Sequence, residues 1–321
     1  MLVPDSSWQP SASIEMLRLR AALMQRVRNF FAERGVLEVE TPLLSRAAIT
    51  EPNLASGEVR LPGLRDTFYL HTSPEFFMKR LLAAGSGDIW QACKVFRGAE
   101  RGRQHNPEFT MIEWYRLGFD HHALMDEVGA LLRLLIPGLA DDHESISYAE
   151  AFRKHAGIDP FEASDAVLRD IADDFGLNDA TLERDALLDA IASHIVYPQL
   201  GRGRVSFVHA FPASQAALAK LDENDPRCAR RFEAFVNGVE LANGFHELSD
   251  ANEQRRRFEH ENVRRLAMGL PQMPLDENLL AALEHGLPDC AGVALGFDRV
   301  VMLAAGRDDI AEVLGFGFDR V

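Results

Sequence analysis

Two alternating segments joined by a basic loop constrain what this chain can fold into. Residues Ile89–Phe96 and Glu108–Tyr115 are predicted strands, and Gly98–Pro107 is the polar loop between them. The loop carries Arg101, Arg103 and His105. Successive side chains of a strand point to opposite faces, so the second strand places four on one face: Phe109, Met111, Glu113 and Tyr115. Such a face, beside a loop of arginines, suits a pocket for an aromatic base, a phosphate and an amine better than it suits a core.

The same stretch resembles motif 2 of the class II aminoacyl-tRNA synthetases. The similar positions are Phe96, Arg97, Arg103 and His105–Met111. The run Asn106–Met111, followed by Glu113 and Tyr115, is similar to the lysyl branch of that class, and chance is a poor explanation for so many spaced matches. The resemblance implies an α+β fold, the class II aminoacyl-tRNA synthetase catalytic fold, with a central, mostly antiparallel β-sheet flanked by helices.

Chain length and charge narrow the classes of protein. The chain has 321 residues, of which 47% are apolar, and this suffices for a large core. No linker or low-complexity run marks a boundary, so we predict a single catalytic domain over residues 1–321, with a helical, acidic insertion at about 137–203 between motifs 2 and 3. The net charge of −15 argues against a long nucleic-acid footprint, and we expect no tRNA partner.

Cysteine use and hydropathy predict the compartment. Cys93, Cys228 and Cys290 lie far apart, without a Cys-x-x-Cys pair, as expected of thiols in a reducing cytosol. The first residues lack the basic start and apolar run of a signal peptide, and no apolar stretch is long enough to span a bilayer. We therefore expect a soluble, cytoplasmic protein without a membrane partner.

A helix and a short strand precede the motif 2 stretch. Ile14–Arg34 has apolar residues at helical spacing, with Ser13 as the predicted N-cap and Gly35 as the stop. Val36–Glu40 alternates, and Pro42 ends this predicted strand. The succession of helix, glycine, strand and proline resembles motif 1 of the same synthetase class, and this resemblance implies a homodimer.

Ser73, Pro74 and Glu75 follow a predicted strand, Phe68–Thr72, and have two interpretations. Ser73 can cap a helix, Pro74 suits its first position and Glu75 complements its dipole, so the tripeptide is an ordinary helix start. In the lysyl-like synthetases the same tripeptide lines the amino-acid site. The resemblance favours a substrate role, above all for Glu75.

An Asn-Gly hairpin signal precedes a segment with two acids, Glu240 and Glu247. Their odd spacing places them on opposite faces of a regular strand, whereas a bulge or bend at Gly244 would bring them to one side. Considered alone, they are exposed acids of an edge strand. With Asn243, near a triphosphate, they would form a Mg²⁺ site. The resemblance of this segment to the synthetases implies a metal role for Glu240 and an amine or metal role for Glu247.

The segment Gly292–Arg299, followed by Val300–Ala305, predicts a strand, a glycine and the start of a helix. Gly296 permits close approach of a nucleotide, and Arg299 lies in the first helical turn, where free N–H groups attract anions. This pattern resembles motif 3. The final residues, 317–321, repeat it without a following helix, so the motif is assigned to the earlier copy.

The resemblance assigns roles to the two ends of one pocket. ATP would contact Arg97, Ala99, Glu100, Asn106, Phe109, Glu240, Leu241, Gly296 and Arg299. The amino acid would contact Ser73, Pro74, Glu75, Glu113, Tyr115, Glu247 and Ala294. Arg97 and Arg299 are the predicted catalytic residues, because fixed cations and Mg²⁺ stabilise the charge that moves when a carboxylate attacks the α-phosphate. The implied products are an aminoacyl-adenylate and pyrophosphate.

Two positions depart from the synthetase pattern. Motif 2 usually continues Arg-Asn-Glu, but Arg97 is followed by Gly98 and Ala99, so Glu100 or the backbone would make the adenine contact. Motif 3 has Ala294 where lysyl-tRNA synthetases usually have glycine. The added methyl group would crowd an α-amino group and suits an amine placed further along the chain. Moving a buried ammonium off its acceptors can discriminate by roughly 10⁴.

Motif 1 begins near residue 14, and we expect no room before it for the anticodon-binding barrel of lysyl-tRNA synthetases. The whole chain therefore resembles the elongation factor P–(R)-β-lysine ligases, a family of synthetase paralogues. The resemblance implies (R)-β-lysine as substrate, ATP and Mg²⁺ as cofactors, and elongation factor P as the protein whose lysine ε-amine accepts the β-lysyl group. Two alternatives remain. One is a compact lysyl-tRNA synthetase that uses α-lysine, and the other is a catalytically inactive regulatory paralogue, which Ala99 favours.

Overall fold

The computed structural model describes residues 8–98, 101–176 and 182–321. Two predicted nucleotide contacts, Ala99 and Glu100, lie outside these residues. The helices are α1 (Ile14–Ala32), α2 (Glu75–Ala83), α3 (His121–Leu135), α4 (Tyr148–His155), α5 (Asp165–Asp173), α6 (Arg184–Ile191), α7 (Ala251–Ala267), α8 (Glu277–Gly286) and α9 (Phe297–Ala304). The strands are β1 (Leu37–Glu38), β2 (Leu44–Ser45), β3 (Glu58–Arg60), β4 (Thr67–Leu70), β5 (Ile89–Phe96), β6 (Glu108–Leu117), β7 (His143–Ser147), β8 (Val205–Pro212), β9 (Cys228–Val236), β10 (Val239–His246) and β11 (Cys290–Gly296). Within the described ranges, none of the helices is long and apolar enough to cross a membrane.

One large sheet has the strand order β1-β5-β6-β11-β10-β9-β8-β7, and a small one has the order β2-β4-β3. In the large sheet the two outermost pairs, β1 with β5 and β7 with β8, are parallel, and the inner pairs are antiparallel. The predicted α+β fold with a mostly antiparallel central sheet is confirmed. The strands of motifs 2 and 3, β6 and β11, are neighbours, with Glu113 opposite Ala294 and Tyr115 opposite Gly292.

The helix and strand of motif 1 form as predicted, but the strand is shorter. The side chain of Ser13 accepts the backbone N–H of Met16 and begins α1, and Gly35 adopts the left-handed φ of +66° that ends it. The predicted strand Val36–Glu40 is wrong in length, since only the two residues of β1 pair with β5. They are exposed at the edge of the sheet, where little packing extends a strand.

The predicted bulge is present in β10 but not at Gly244. The register with β9 shifts between Glu240 and Ala242, so Leu241 is the additional residue. Gly244 pairs regularly on both sides, and glycine is needed there because a Cβ would lie 2.4 Å from the ring of Phe232. One inserted residue compensates the odd spacing of Glu240 and Glu247.

Three helices cover one face of the sheet. α1, α3 and α9 share a hydrophobic core with the strands. The ring of Phe31 in α1 stacks on Trp90 with centroids 4.8 Å apart, and it meets the edge of Trp114 at 5.3 Å. Buried aromatic rings contribute much of the core energy, and these three fix α1 against β5 and β6.

The predicted helical insertion at 137–203 is only partly helical. It contains α4, α5 and all of α6 as expected, but it also contributes β7, which extends the sheet beside β8. A second hydrophobic cluster packs these helices on β8 and β9 and includes Phe152, Phe211 and Phe235. The insertion is therefore continuous with the sheet.

Candidate active site

A cleft of about 300 Å³ opens where β6, β10 and β11 meet the start of α9. The predicted residues that line it are Ser73, Glu75, Arg97, Asn106, Phe109, Glu240, Leu241, Ala294, Gly296 and Arg299. Four others are buried beside the lining residues: Pro74, Glu113, Tyr115 and Glu247. The structure therefore brings the described candidates to one region. The end predicted to hold the amino acid, here called the amine end, has Glu75 on the surface of the cleft and Glu113 and Glu247 below it.

Arg97 and Phe109 form a wall at the end predicted to hold the nucleotide. The guanidinium carbon of Arg97 lies 5.3 Å from the centroid of the Phe109 ring, which is a cation–π contact. The backbone N–H of Arg97 donates to the carbonyl of Pro107 at 2.9 Å, so the two ends of the basic loop are closed on each other. A base or a phosphate in this part of the cleft would meet both a ring face and a fixed cation.

Arg299 extends from the first turn of α9 to two other parts of the site. Its Nε donates to the carbonyl of Gln104 at 3.1 Å, and its Nη1 donates to the carbonyl of Glu240 at 2.9 Å. Its Nη2 lies 2.7 Å from Nε2 of His105. The guanidinium therefore spans the motif 2 loop and β10, and its charge adds to that of the helix N-terminus.

Asp298 and Arg20 were not predicted from the sequence, yet they hold the three motifs together. Asp298 is 1% exposed, pairs with Arg20 of α1 at 2.5 Å, and accepts the backbone N–H of Thr110 in β6 at 2.8 Å. Arg20 also donates to Oγ1 of Thr110 at 2.8 Å. Because Asp298 is the neighbour of the motif 3 arginine, the sequence could have suggested a role for it. Nothing in the sequence indicates that Asp298 pairs with Arg20.

Glu113 is the centre of a buried hydrogen-bonded group at the amine end. Its two carboxylate oxygens accept from Ser73 Oγ at 2.6 Å and from the Tyr115 hydroxyl at 2.8 Å. Burial, followed by the negative charge of Glu75, raises the pKa of Glu113 to about 8. Ser73 Oγ accepts the backbone N–H of Glu75 at 3.0 Å, so the expected capping serine also connects α2 to β6.

Lys79 is a further residue that the sequence analysis missed. Its ammonium is 1% exposed and contacts Glu75 at 2.6 Å and Glu247 at 2.6 Å. Burial opposes its charge, but the two carboxylates raise the pKa of Lys79 above its ordinary value. Burial raises the pKa of Glu247 to about 7. The only clue in the sequence was that Lys79 follows Glu75 by four residues, a spacing at which an acid and a lysine on one helix can pair.

Gly292 provides the space in which Tyr115 and Glu247 lie close together. A Cβ at this position would be 2.3 Å from the Tyr115 ring and 2.4 Å from Oε1 of Glu247. Neither contact is tolerated between real atoms, and the carboxylate and the ring are both buried. A side chain at position 292 would therefore displace the acid and the phenol of the amine end.

The Mg²⁺ site at Glu240 and Glu247 stays a prediction. Among the described residues, no group of three or more His, Cys, Asp or Glu side chains is arranged to hold a metal ion. The carboxylate of Glu247 pairs with the ammonium of Lys79 at 2.6 Å. Of the two roles predicted for Glu247, amine or metal binding, this arrangement favours the amine role. Glu240 has a side chain 42% exposed, 3.8 Å from Arg299, and an accessible oxygen donor of this kind suits Mg²⁺ that is also held by phosphates.

The second copy of the motif 3 sequence does not form a helix comparable to α9. Residues Phe318–Arg320 form a short 3₁₀ turn that packs on the motif 2 loop. The backbone N–H of Phe318 donates to Oδ1 of Asn106 at 3.0 Å, and Asp319 pairs with Arg101. Asn106, a predicted nucleotide contact, is thus held from the C-terminal side.

The family model for tRNA synthetases class II (D, K and N) matches residues 8–320. The chain belongs to this family. It is similar to proteins named elongation factor P–(R)-β-lysine ligase: 52% identical to that of Klebsiella pneumoniae subsp. pneumoniae, 51% to that of Salmonella dublin and 50% to that of Pectobacterium carotovorum subsp. carotovorum. Each similarity covers 98% of this chain and 98% of the relative. Residues of β6, β10 and β11 line the cleft of this domain.

Proposed function

We propose that this chain activates (R)-β-lysine with ATP and transfers the β-lysyl group to a lysine ε-amine of elongation factor P. One observation carries the proposal. A single cleft is lined by Arg97, Arg299 and Glu75. Glu113 and Glu247 are buried behind Glu75 and are joined to it through Ser73 and Lys79. Cations suit a triphosphate, and several acids suit a substrate with more than one ammonium group. Relatives at 50–52% identity carry the name of this ligase.

In the first step, a carboxylate oxygen of β-lysine bonds to the α-phosphorus of ATP, and the bond to the pyrophosphate oxygen breaks. Two anions meet and negative charge moves to the leaving group, so fixed cations lower the barrier. Arg97 would bind the α-phosphate and the carboxylate. Arg299 would bind the γ-phosphate end and, with Phe109, enclose the adenine.

In the second step, the neutral ε-amine of the acceptor lysine attacks the carbonyl carbon of the adenylate. A C–N bond forms, the bond to AMP breaks, and the amine nitrogen loses a proton. The contribution of the chain is to hold the acyl group by its ammonium groups at Glu75, Glu113 and Glu247. Tyr115 orients Glu113, and the methyl group of Ala294 leaves less room for an α-amino group than for a β-amino group.

The partners follow from the same assignment. Mg²⁺, held by Glu240 together with ATP, would neutralise phosphate charge. Asn106 and Leu241 would complete the nucleotide contacts beside Gly296. We also propose that the protein is a homodimer in the cytoplasm that acts on elongation factor P without tRNA and without a membrane.

The test is exchange of labelled pyrophosphate into ATP with (R)-β-lysine, α-lysine or no amino acid, followed by mass analysis of elongation factor P. We expect exchange to be fastest with (R)-β-lysine and the factor to gain one β-lysyl group. Faster exchange with α-lysine, together with charging of tRNA, would identify a compact lysyl-tRNA synthetase. Absence of exchange with every amino acid would identify an inactive regulatory paralogue.

A further inference from the structure

The amine end of the cleft contains more negative than positive charge. Glu75, Glu113 and Glu247 belong to one connected cluster, in which Ser73 joins Glu113 to the start of α2 and Lys79 joins Glu75 to Glu247. Lys79 is the cation that these contacts place inside the cluster. Burial raises the pKa of Glu113 to about 8 and that of Glu247 to about 7, so the substrate-free cluster holds protons. When all three carboxylates are ionised, as beside bound ammonium groups, the single ammonium of Lys79 leaves two negative charges without a partner.

The groups packed around the cluster do not remove this deficit. Lys220 acts on Glu247 from outside, but its ammonium already pairs with Asp289 at 2.5 Å. Cys93 faces Glu113 and Cys290 faces Glu247, and burial raises the pKa of each thiol to about 12, so both are uncharged. The missing positive charge must come from outside the protein or from protons.

We propose that Lys79 is the positioning residue that sets this deficit at two charges and thereby selects an acid with two ammonium groups. Buried charge is costly unless it is compensated. A substrate with two ammonium groups completes the balance, whereas one with a single ammonium leaves a carboxylate unpaired. The inference rests on the proposed function and names the residue through which the pocket distinguishes these substrates.

Lys79 also fixes the positions of two of these carboxylates. Its ammonium contacts one carboxylate on its own helix and one that follows β10, each at 2.6 Å. Because Glu75 lines the cleft with a side chain 13% exposed and Glu247 is 1% exposed, the bridge fixes an acid at the surface of the cleft to an acid below it. Removal of the ammonium would leave both carboxylates free to repel each other.

The direct test compares Lys79→Met with Lys79→Arg by pyrophosphate exchange. In Lys79→Met we expect the KM of (R)-β-lysine to rise at least about tenfold, while the KM of ATP stays within about twofold. Lys79→Arg keeps the charge and should recover at least about threefold of the loss. A packing role alone predicts the reverse order, because methionine resembles the lysine stem. A folded Lys79→Met with an unchanged KM for (R)-β-lysine, or an arginine variant no better than methionine, would overturn the proposal.

A second variant covers the case in which Lys79→Met does not fold, as judged by its thermal transition. Glu75→Gln keeps Lys79 and reduces the deficit to one charge. The comparison substrate is 3-aminohexanoic acid, which lacks the terminal amine of β-lysine. The preference for (R)-β-lysine, as a ratio of kcat/KM values, should fall at least about tenfold. An unchanged preference would refute the charge match.

Calorimetric binding of the same two acids separates this inference from the proposed reaction. A wild-type protein that binds (R)-β-lysine more tightly than 3-aminohexanoic acid but supports no exchange would refute the reaction and support the charge match. A wild-type protein that supports exchange equally with both acids would keep the activation step and refute the charge match.

Discussion

Asp298 in α9 accepts the backbone N–H of Thr110 in β6 at 2.8 Å, and this bond ties the helix of motif 3 to the strand of motif 2. The same carboxylate pairs with Arg20 of α1. Motifs that lie far apart in the sequence therefore meet at one buried acid. Because Arg299 is the next residue along α9, the position of its guanidinium depends on this contact.

Asp298→Asn should lower the free energy of unfolding by about 3 kcal/mol. The amide keeps an acceptor for Thr110, but Arg20 loses the charge that compensates its partly buried guanidinium. Urea unfolding measures the change. Arg28→Gln, which breaks the exposed pair with Glu38, is the matched control and should change stability by about 0.5 kcal/mol or less. Equal losses in both variants would show that burial of the Asp298 pair has no special effect.

Arg299→Ala should reduce pyrophosphate exchange at least about 100-fold, with an unchanged thermal transition. The guanidinium makes its contacts to the motif 2 loop and to Glu240 from the edge of the cleft, so its loss removes charge from the nucleotide end without opening the core. Arg307→Ala serves as control, because Arg307 pairs with Glu312 away from the cleft lining. Full activity in Arg299→Ala would exclude this residue from the mechanism.

Gly292→Ala should raise the KM of the amino-acid substrate more than that of ATP. The new methyl group would overlap the Tyr115 ring and Glu247, and overpacking of this kind costs about 1–3 kcal/mol. The displaced groups are those proposed to bind the amino acid, so its binding should be weakened most. Exchange kinetics with each substrate varied in turn provide the measurement. Gly315→Ala is the control, since its Cβ would meet its nearest atom at 3.9 Å. A larger effect on ATP than on the amino acid would contradict the assignment of the two ends.

The pH dependence of stability should carry a signature of Glu113. Burial raises the pKa of this carboxyl from the ordinary value of 4.5 to about 8, so the folded protein binds the proton more tightly than the unfolded chain does. The resulting stabilisation is complete below the unfolded pKa and is lost as the pH rises through the folded pKa. The difference in unfolding free energy between wild type and Glu113→Gln should therefore decrease from about pH 5 to about pH 8.

Unfolding of the substrate-free protein by urea at several pH values tests this expectation. Glu38→Gln is the control, because Glu38 is exposed on β1 and burial contributes nothing to its difference in unfolding free energy. A flat difference for Glu113→Gln would show that its carboxyl is not perturbed by burial.

Alternation predicted β5 and the face of β6 well, because period-two patterning is a local property of the chain. Glu113 and Tyr115 occupy one face and are joined by a hydrogen bond, as the pattern indicates. The helix of motif 1 was likewise recoverable from its apolar spacing and from Ser13. The resemblance to the class II synthetases predicted a mostly antiparallel central sheet but not the order of its strands.

The features that sequence reasoning missed all depend on tertiary packing. A lysine is ordinarily exposed, and Lys79 is buried because Glu247, far along the chain, packs on it opposite Glu75. The pairing of Arg20 with Asp298 joins residues 278 positions apart, which no local pattern encodes. The strand β7 was assigned to a helical insertion, because its pairing with β8 decides its conformation more than its own composition does.

The extra residue in β10 has a consequence for how such chains can diverge. Without it, the strand would present Glu240 and Glu247 to opposite sides of the sheet, and the phosphate and ammonium contacts proposed for one ligand would be separated by the sheet itself. Deletion of Leu241 would thus alter function more than many side-chain changes, although every charged group of the cleft would remain. The number of residues in β10 therefore matters for function as much as their identity, because it sets the side of the sheet that the two acids face.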